Sequence, residues 1–175
     1  MTSATEDVSD LSKFAGSWTL DPARTSVTFH TKAMWVLNVT GTINAVNGTA
    51  TLGGDGSLAA TVELAAASVN TKNAKRDAHL RTSDFFDVET YPTMTFAATT
   101  ARPTGPGKAD INGEFTVVGQ SRAVTVPASY VVANNIVTIT AKLDIDRSQW
   151  GLSWSKMGAG LANHVDISAV FTKSS

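Results

Sequence analysis

The chain contains no cysteine among its 175 residues. Disulfide bonds, thiolate metal ligands and cysteine nucleophiles are therefore excluded. Aromatic residues make up only 7 % of the chain and charged residues 17 %, whereas 42 % of the residues are hydrophobic. This balance is that of an ordinary globular protein, and the length suits one domain with a substantial core.

A strong charge of either sign is also missing, because the formal net charge is −1. The sequence has no run of lysine and arginine. Nothing in it therefore predicts binding to nucleic acid or to an anionic lipid surface. No apolar run approaches the roughly 18 residues that a membrane-spanning helix needs, so we predict no membrane span.

The N-terminal residues lack the features of a secretory signal. Residues 1–13 are polar and acidic, without the basic start and the apolar run of about seven residues that export requires. Either the protein is cytoplasmic or a signal has been removed, and the leading Met1 favours a cytoplasmic protein. We predict that residues 1–13 form a flexible arm and that residues 14–175 form a single domain.

Apolar and polar residues alternate along most of the remaining chain. Val27 and Phe29 point to one face of a strand and the residues between them to the other, and residues 136–145 alternate in the same way. This period of two is typical of half-buried antiparallel strands. Turn signals separate such runs, among them Asn47-Gly48, which predicts a hairpin turn. About eight strands result, which predicts an all-β sandwich or barrel.

One segment in the middle of the chain breaks the alternation. Ala74, Ala78 and Arg81 recur at helical spacing, and residues this far apart lie on one face of a helix. The sequence therefore predicts one short helix between the strands, over about residues 73–86.

Motifs that carry chemistry are absent from the sequence. It contains neither a Gly-x-Ser-x-Gly nucleophile motif nor a phosphate-binding loop, so no catalytic residue is predicted. The three histidines, His30, His79 and His164, are far apart in sequence. They could converge in space, but none has the local spacing of a metal-ligand pair, and we predict no metal site.

Residues 76–96, RDAHLRTSDFFDVETYPTMTF, form the most unusual stretch of the chain. In one interpretation, Arg76 and Asp77 form a partly buried ion pair that anchors the helix, while Phe85 and Phe86 plug one end of the fold. In the other, the polar tips of this segment, including His79, surround the mouth of an apolar cavity and orient the head group of a ligand.

The same segment resembles the YceI-like family, the bacterial polyisoprenoid-binding, lipocalin-like proteins. The positions that fit the family pattern are Arg76, Asp77, His79, Leu80, Asp84, Phe85, Phe86, Asp87, Tyr91, Pro92 and Phe96. The resemblance extends to WTLDPARTSVTF near the start, to residues 113–127 and to residues 144–152. Two departures are Arg24, where the family has histidine, and Ala162-Asn163-His164, where the family has glycine and an acidic residue.

The resemblance implies an eight-stranded antiparallel lipocalin-like barrel with an apolar tunnel and a helical lid. Relatives hold long isoprenoid chains, such as prenyl quinones or prenyl phosphates. The expected function is accordingly the binding, storage or transport of such a hydrophobic ligand, without catalysis and with no cofactor other than the bound lipid. Relatives are often periplasmic or secreted, and they often form homodimers, so a homodimer is an open alternative.

Strand periodicity within such a barrel predicts which side chains face the ligand. The predicted inward set is Val27, Phe29, Val39, Ile43, Leu64, Phe96, Phe115, Val126, Ile139, Leu143, Ile167 and Phe171. With Arg76, Asp77, His79, Phe85 and Phe86, these are the predicted ligand-binding residues. Two other functions stay open. One is an enzyme that uses the barrel as a chamber for a lipid or polyketide-like substrate. The other is a structural module whose barrel is filled by its own side chains.

Overall fold

A computed structural model of the chain describes residues 14–33, 36–55, 57–154 and 159–174. The predicted N-terminal arm, residues 1–13, lies outside these ranges. The elements are β1 (Gly16–Leu20), β2 (Ser26–Ala33), β3 (Leu37–Leu52), β4 (Ser57–Asn70), α1 (Ala74–Leu80), β5 (Thr93–Gly105), β6 (Lys108–Val117), β7 (Gln120–Ala133), β8 (Ile136–Asp146) and β9 (Ala162–Lys173).

The strands form one closed antiparallel barrel. Around the wall the order is β3, β2, β9, β8, β7, β6, β5 and β4, and β4 pairs with β3 to close the circle. β1 also pairs with β3 and β9. β1 and β2 therefore share one position of the wall. A 3₁₀ turn (Pro22–Arg24) separates the two strands along the chain. The wall has eight positions, which confirms the eight-stranded antiparallel barrel predicted from the sequence.

Strand pairing places the apolar rows on the inner face. Val27 is paired with Ile43 of β3 and with Ile167 of β9, and Phe96 of β5 is paired with Phe115 of β6. Because directly paired residues lie on the same face of a sheet, each pair joins one interior layer. The barrel interior is therefore the hydrophobic core of the protein.

Two of the tight turns have two successive residues with positive φ. Val118 and Gly119 have φ angles of 53° and 72°, and Asn134 and Asn135 have φ angles of 55° and 64°. Two successive residues with positive φ are characteristic of the type I′ turn, whose twist matches that of a hairpin. These turns join β6 to β7 and β7 to β8.

The hairpin turn predicted at Asn47-Gly48 is wrong. Both residues lie within β3, beside a shift in the pairing of β3 with β4 between Ala45 and Asn47. A Cβ added to Gly48 would lie 2.8 Å from Cβ of Leu20. The glycine is required here because β1 approaches closely. From the sequence alone, an Asn-Gly pair at such a place looks the same as one in a hairpin turn.

The helix α1 is shorter than predicted and ends at Leu80 rather than at residue 86. Asn73 caps its N-terminus, because the Asn73 side chain accepts a hydrogen bond of 3.0 Å from the amide of Arg76. At the other end, the Thr82 hydroxyl donates to the carbonyl of His79 at 2.6 Å. Such side-chain bonds to the backbone compete with helix continuation, and residues 81–86 form turns.

The wall opens between β7 and β8. Their pairing extends from Ala133 and Ile136 to Ala128 and Ala141. Beyond this point β7 continues beside β6 and β8 continues beside β9, so the two strands part. Pro127, which precedes Ala128 in β7, has no amide proton to contribute to a strand ladder. A proline at this place fits the end of the pairing.

Candidate functional site

The structure places all the predicted inward residues in the barrel interior, where they differ in burial. The buried ones are Val39, Ile43, Leu64, Val126 and Phe171. Those that pack against the core but remain partly exposed are Val27, Phe29, Phe96, Phe115, Ile139, Leu143 and Ile167. These partly exposed apolar side chains are accessible to solvent in the structure. They are the inward residues that a bound apolar molecule could contact.

A cavity of about 590 Å³ lies between the parted halves of β7 and β8. This volume is within the range of about 300–1,000 Å³ that small-molecule sites occupy. The lining residues are Ala123, Val124, Thr125 and Pro127 from β7, Lys142, Leu143, Asp144, Ile145 and Asp146 from β8, and Gln149, Trp150 and Ala162. We call this cavity the β7–β8 cleft.

Trp150 closes one end of the β7–β8 cleft. It lies in a 3₁₀ turn (Arg147–Trp150) directly after β8 and is only 3 % exposed. Its Nε1–H donates a hydrogen bond of 2.8 Å to the carbonyl of Phe115 in β6. The two rings also meet edge to face, with centroids 5.7 Å apart. Trp150 thus connects the end of β8 to β6 where β7 and β8 have separated.

Arg76 and Asp77 do not form the ion pair predicted from the sequence. The Asp77 carboxylate accepts hydrogen bonds from the backbone N–H of Thr71 at 2.9 Å and from its hydroxyl at 2.6 Å. Arg76 donates through Nε to the Thr71 hydroxyl at 2.8 Å and through Nη2 to the Thr71 carbonyl at 3.0 Å. Consecutive residues of a helix do not face each other, and the two side chains instead share Thr71.

His79 and Phe85 belong to an aromatic cluster beside α1. Nε2 of His79 lies 2.7 Å from Oδ2 of Asp84. The His79 ring meets Phe85 and Trp154 edge to face, with centroid distances of 5.3 Å and 4.7 Å. Phe85 is buried, and Phe86 packs against the core while remaining partly exposed. Both phenylalanines thus contribute to the core beside α1.

Arg147 lies beside this aromatic cluster and binds the loop that follows β8. Local sequence patterns did not indicate its role. Its guanidinium donates to the carbonyls of Leu152 at 2.6 Å and Gly160 at 3.0 Å. It also lies 5.2 Å from the centre of the Phe85 ring. Burial lowers the pKa of Arg147, an effect that the nearby Asp146 carboxylate opposes. The only signal was its place in residues 144–152, which resemble the family as a block.

Two of the three histidines converge on the outer face of the barrel. His30 of β2 and His164 of β9 are direct cross-strand partners, with ring centroids 6.0 Å apart. Nε2 of His30 lies 3.1 Å from Oδ2 of Asp166, and Nδ1 of His164 lies 2.8 Å from Oδ1 of Asp144. The hydrogen bond with Asp144 raises the pKa of His164. Within the described ranges, no group of three or more acidic or histidine side chains is arranged to hold a metal ion.

The other departure from the family pattern, Arg24, lies in the exposed 3₁₀ turn between β1 and β2. Its Nε is 2.7 Å from Oδ2 of Asp21, and its side chain is 52 % exposed. The hydrogen bond from Arg24 lowers the pKa of Asp21. Arg24 therefore faces solvent beside a local partner.

No helix in the described part of the chain has the length and apolar character needed to cross a membrane.

The chain is similar to proteins of known sequence over part of its length. The YceI-like domain model matches residues 18–172. A UPF0312 protein of Ectopseudomonas mendocina is 41 % identical over 70 residues, which are 40 % of this chain and 37 % of that relative. A UPF0312 protein of Pseudomonas syringae pv. tomato is 38 % identical over 69 residues. The chain thus spans little more than a third of the length of the curated relatives that it matches.

Solved structures share the fold over a larger part of the chain. BcnA of Burkholderia cenocepacia has a TM-score of 0.75 and 21 % identity, over 86 % of this chain and 98 % of that one. A polyisoprenoid binding domain from Saccharophagus degradans has a TM-score of 0.71 and 13 % identity, over 90 % of this chain and 98 % of that one. These likenesses concern the fold. Together with the family model, which covers residues 18–172, they establish that the chain belongs to the family of YceI-like domains.

Proposed function

We propose that this protein binds a long apolar ligand inside its barrel, namely an isoprenoid such as a prenyl quinone or a prenyl phosphate, and stores or transports it unchanged. The observation that carries the proposal is the row of apolar inward side chains that remain partly exposed, among them Phe29, Ile139 and Ile167. The similarly folded domain of Saccharophagus degradans, a polyisoprenoid binding domain, supports the choice of ligand class.

The dimensions and energies of such a site suit a thin linear chain. An eight-stranded barrel is just wide enough for its own side chains or for one slim ligand. Burying about ten carbon atoms at ~0.8 kcal/mol each contributes ~8 kcal/mol, which corresponds to micromolar affinity before the cost of association. Apolar contact discriminates poorly between chains that differ by one methylene, because that difference is worth only ~1–3 kcal/mol. Polar groups near the cavity must therefore select the head group.

The alternatives fit the structure less well. Accessible apolar side chains in the interior, such as Phe29 and Ile139, favour a binding function over a structural module with a filled barrel. An enzyme would need titratable groups that meet at one point beside a substrate. Asp77 and Arg76 are instead bound to Thr71, and His79 is bound to Asp84. These contacts favour a structural role for the three residues and a binding function for the interior.

Extraction of the purified protein with organic solvent, followed by mass spectrometry, tests the proposal directly. We expect a prenyl lipid that either copurifies with the protein or exchanges into it when added. A protein that is consistently empty, and that binds neither prenyl quinones nor fatty-acyl ligands, would contradict the proposed function.

A substitution that narrows the interior gives a second test. Ile139 packs against both groups of core residues and is partly exposed, so Ile139→Trp places an indole in the path of the ligand. We expect the affinity for a prenyl quinone to fall about tenfold or more, equivalent to ~1.4 kcal/mol. Thr140→Trp is the matched control, because Thr140 is exposed and lies on the outer face of the same strand. Circular dichroism of both variants checks that the barrel is folded.

A further inference from the structure

The parting of β7 and β8 occurs within two strands that both continue. β7 begins at Gln120 and β8 ends at Asp146, yet their mutual pairing stops at Ala128 and Ala141. In a closed barrel every strand edge is normally paired. Here the edges beyond the last pair border the β7–β8 cleft, so the cleft is a gap in the barrel wall itself.

The walls of this gap are made by residues of the barrel interior. Val124 and Leu143 line the β7–β8 cleft and also pack against the core that includes Val126. Ile145 lines the cleft as well and packs against the larger group of core residues. An apolar chain in the cleft therefore contacts the same side chains as an apolar chain inside the barrel. The apolar walls of the cleft are thus formed by side chains that pack against the barrel core.

The outer rim of the cleft is polar. Lys142, Asp144 and Gln149 are exposed residues of its lining. The Asp144 carboxylate is held on the outer face of the barrel by Nδ1 of His164 at 2.8 Å. Apolar walls beneath a polar rim match a ligand with an apolar chain and a polar head, because the chain can leave water while the head stays in it.

We infer that the β7–β8 cleft is a lateral entrance, through which the apolar chain of the ligand slides into the barrel while its head group stays at the rim. The inference rests on the proposed binding of an isoprenoid in the interior. It adds the route of entry, and it assigns that route to the gap between two strands instead of to an end of the barrel.

A crosslink across the gap tests this entrance. If the pairing of β7 with β8 continued past Ala128 and Ala141, Thr125 would lie opposite Asp144, so the variant is Thr125→Cys with Asp144→Cys. The natural chain has no cysteine, and every thiol is therefore an introduced one. Oxidation joins thiols that can approach each other, and a short bis-maleimide joins them if the strands stay too far apart.

The matched control crosslinks the same two strands where they are already paired. Val131 and Thr138 are direct partners of β7 and β8, so Val131→Cys with Thr138→Cys leaves the cleft open. The readout is the association rate of a dansyl-labelled farnesyl chain, measured by stopped-flow fluorescence. Equilibrium binding of the same probe to the natural protein is measured in parallel.

We expect the crosslink at 125 and 144 to slow association at least ~10-fold, because entry would then require the barrel to deform. Reduction of the disulfide should restore the rate, and the control should bind at the natural rate in both states. A protein crosslinked across the cleft that takes up the probe at the natural rate would overturn the lateral entrance. A natural protein that binds no probe at equilibrium would contradict the proposed function instead.

Discussion

The cluster of Asp77 and Arg76 around Thr71 and the cluster of Asp144 and His164 differ in burial. At the helix α1, Asp77 is 6 % exposed and its partner Thr71 is 5 % exposed. On the outer face of β8 and β9, the side chain of Asp144 is 86 % exposed and that of His164 is 45 % exposed. Similar hydrogen bonds therefore differ in their effect on stability, because an exposed group that loses its partner can bond to water, whereas a buried group is left unsatisfied.

The buried cluster should have the larger effect on stability. In Asp77→Ala, the buried N–H and hydroxyl of Thr71 lose their acceptor, and we expect the free energy of unfolding to fall by ~2–4 kcal/mol. Urea denaturation followed by circular dichroism measures the change. The matched variant Asp144→Ala should leave the midpoint essentially unchanged, and equal losses in the two variants would contradict the role of burial.

The Thr71 hydroxyl tests how the buried cluster is connected. It accepts from Arg76 and donates to Asp77, so Thr71→Val removes both bonds while keeping the shape of the side chain. We expect a loss of ~1–2 kcal/mol in the free energy of unfolding. Thr71→Ser retains the hydroxyl and should lose less. If serine destabilised the protein as much as valine, the methyl group and not the hydroxyl would carry the effect.

For the exposed cluster, we expect a shift in the pKa of His164 and little change in the free energy of unfolding. The ordinary pKa of histidine is about 6.5, and the hydrogen bond with Asp144 raises that of His164 above it. An NMR titration should find this elevated pKa, and Asp144→Asn should lower it. A value in the natural protein at or below that of an unfolded histidine would contradict the contact.

The sign of the pH dependence follows from the direction of this shift. Because the folded state binds the proton more tightly than the unfolded state, the stabilisation by His164 is fully present below about pH 6.5, the unfolded pKa. It disappears as the pH rises through the higher folded pKa. The effect of pH through His164 on the unfolding midpoint should be smaller than the effects of Asp77→Ala and Thr71→Val, since water and salt screen an exposed pair.

Local periodicity predicted the strands and their inward faces. It did not predict how far neighbouring strands pair or in which register. The alternation around Val27 and Phe29 placed them inward because side chains alternate faces within any strand. The extent of pairing between two strands is not a local property, so the β7–β8 cleft was not predicted, although Pro127 lies where the pairing ends. The convergence of His30 with His164 likewise depends on the register of β2 against β9.

The remaining differences have similar causes. Gly48 carries a turn signal, but its reason is the approach of Leu20 from another strand. The ion pair suggested for Arg76 and Asp77 does not form, because both side chains bind Thr71, which lies before the helix. The ligand contacts of the inward residues, the isoprenoid nature of the ligand, the cytoplasmic location and the homodimer stay predictions.

The position of β9 in the wall has a consequence for how the protein folds. β9 is paired on one side with β1 and β2 and on the other with β8, and 136 residues separate His30 from its hydrogen-bond partner Asp166. Joining such distant segments costs chain entropy, and folds dominated by such pairings form slowly. During synthesis the barrel therefore cannot close until β9 has been made. Until then the edges of β2 and β8 are open to other chains, and this nascent stage is the one most exposed to aggregation.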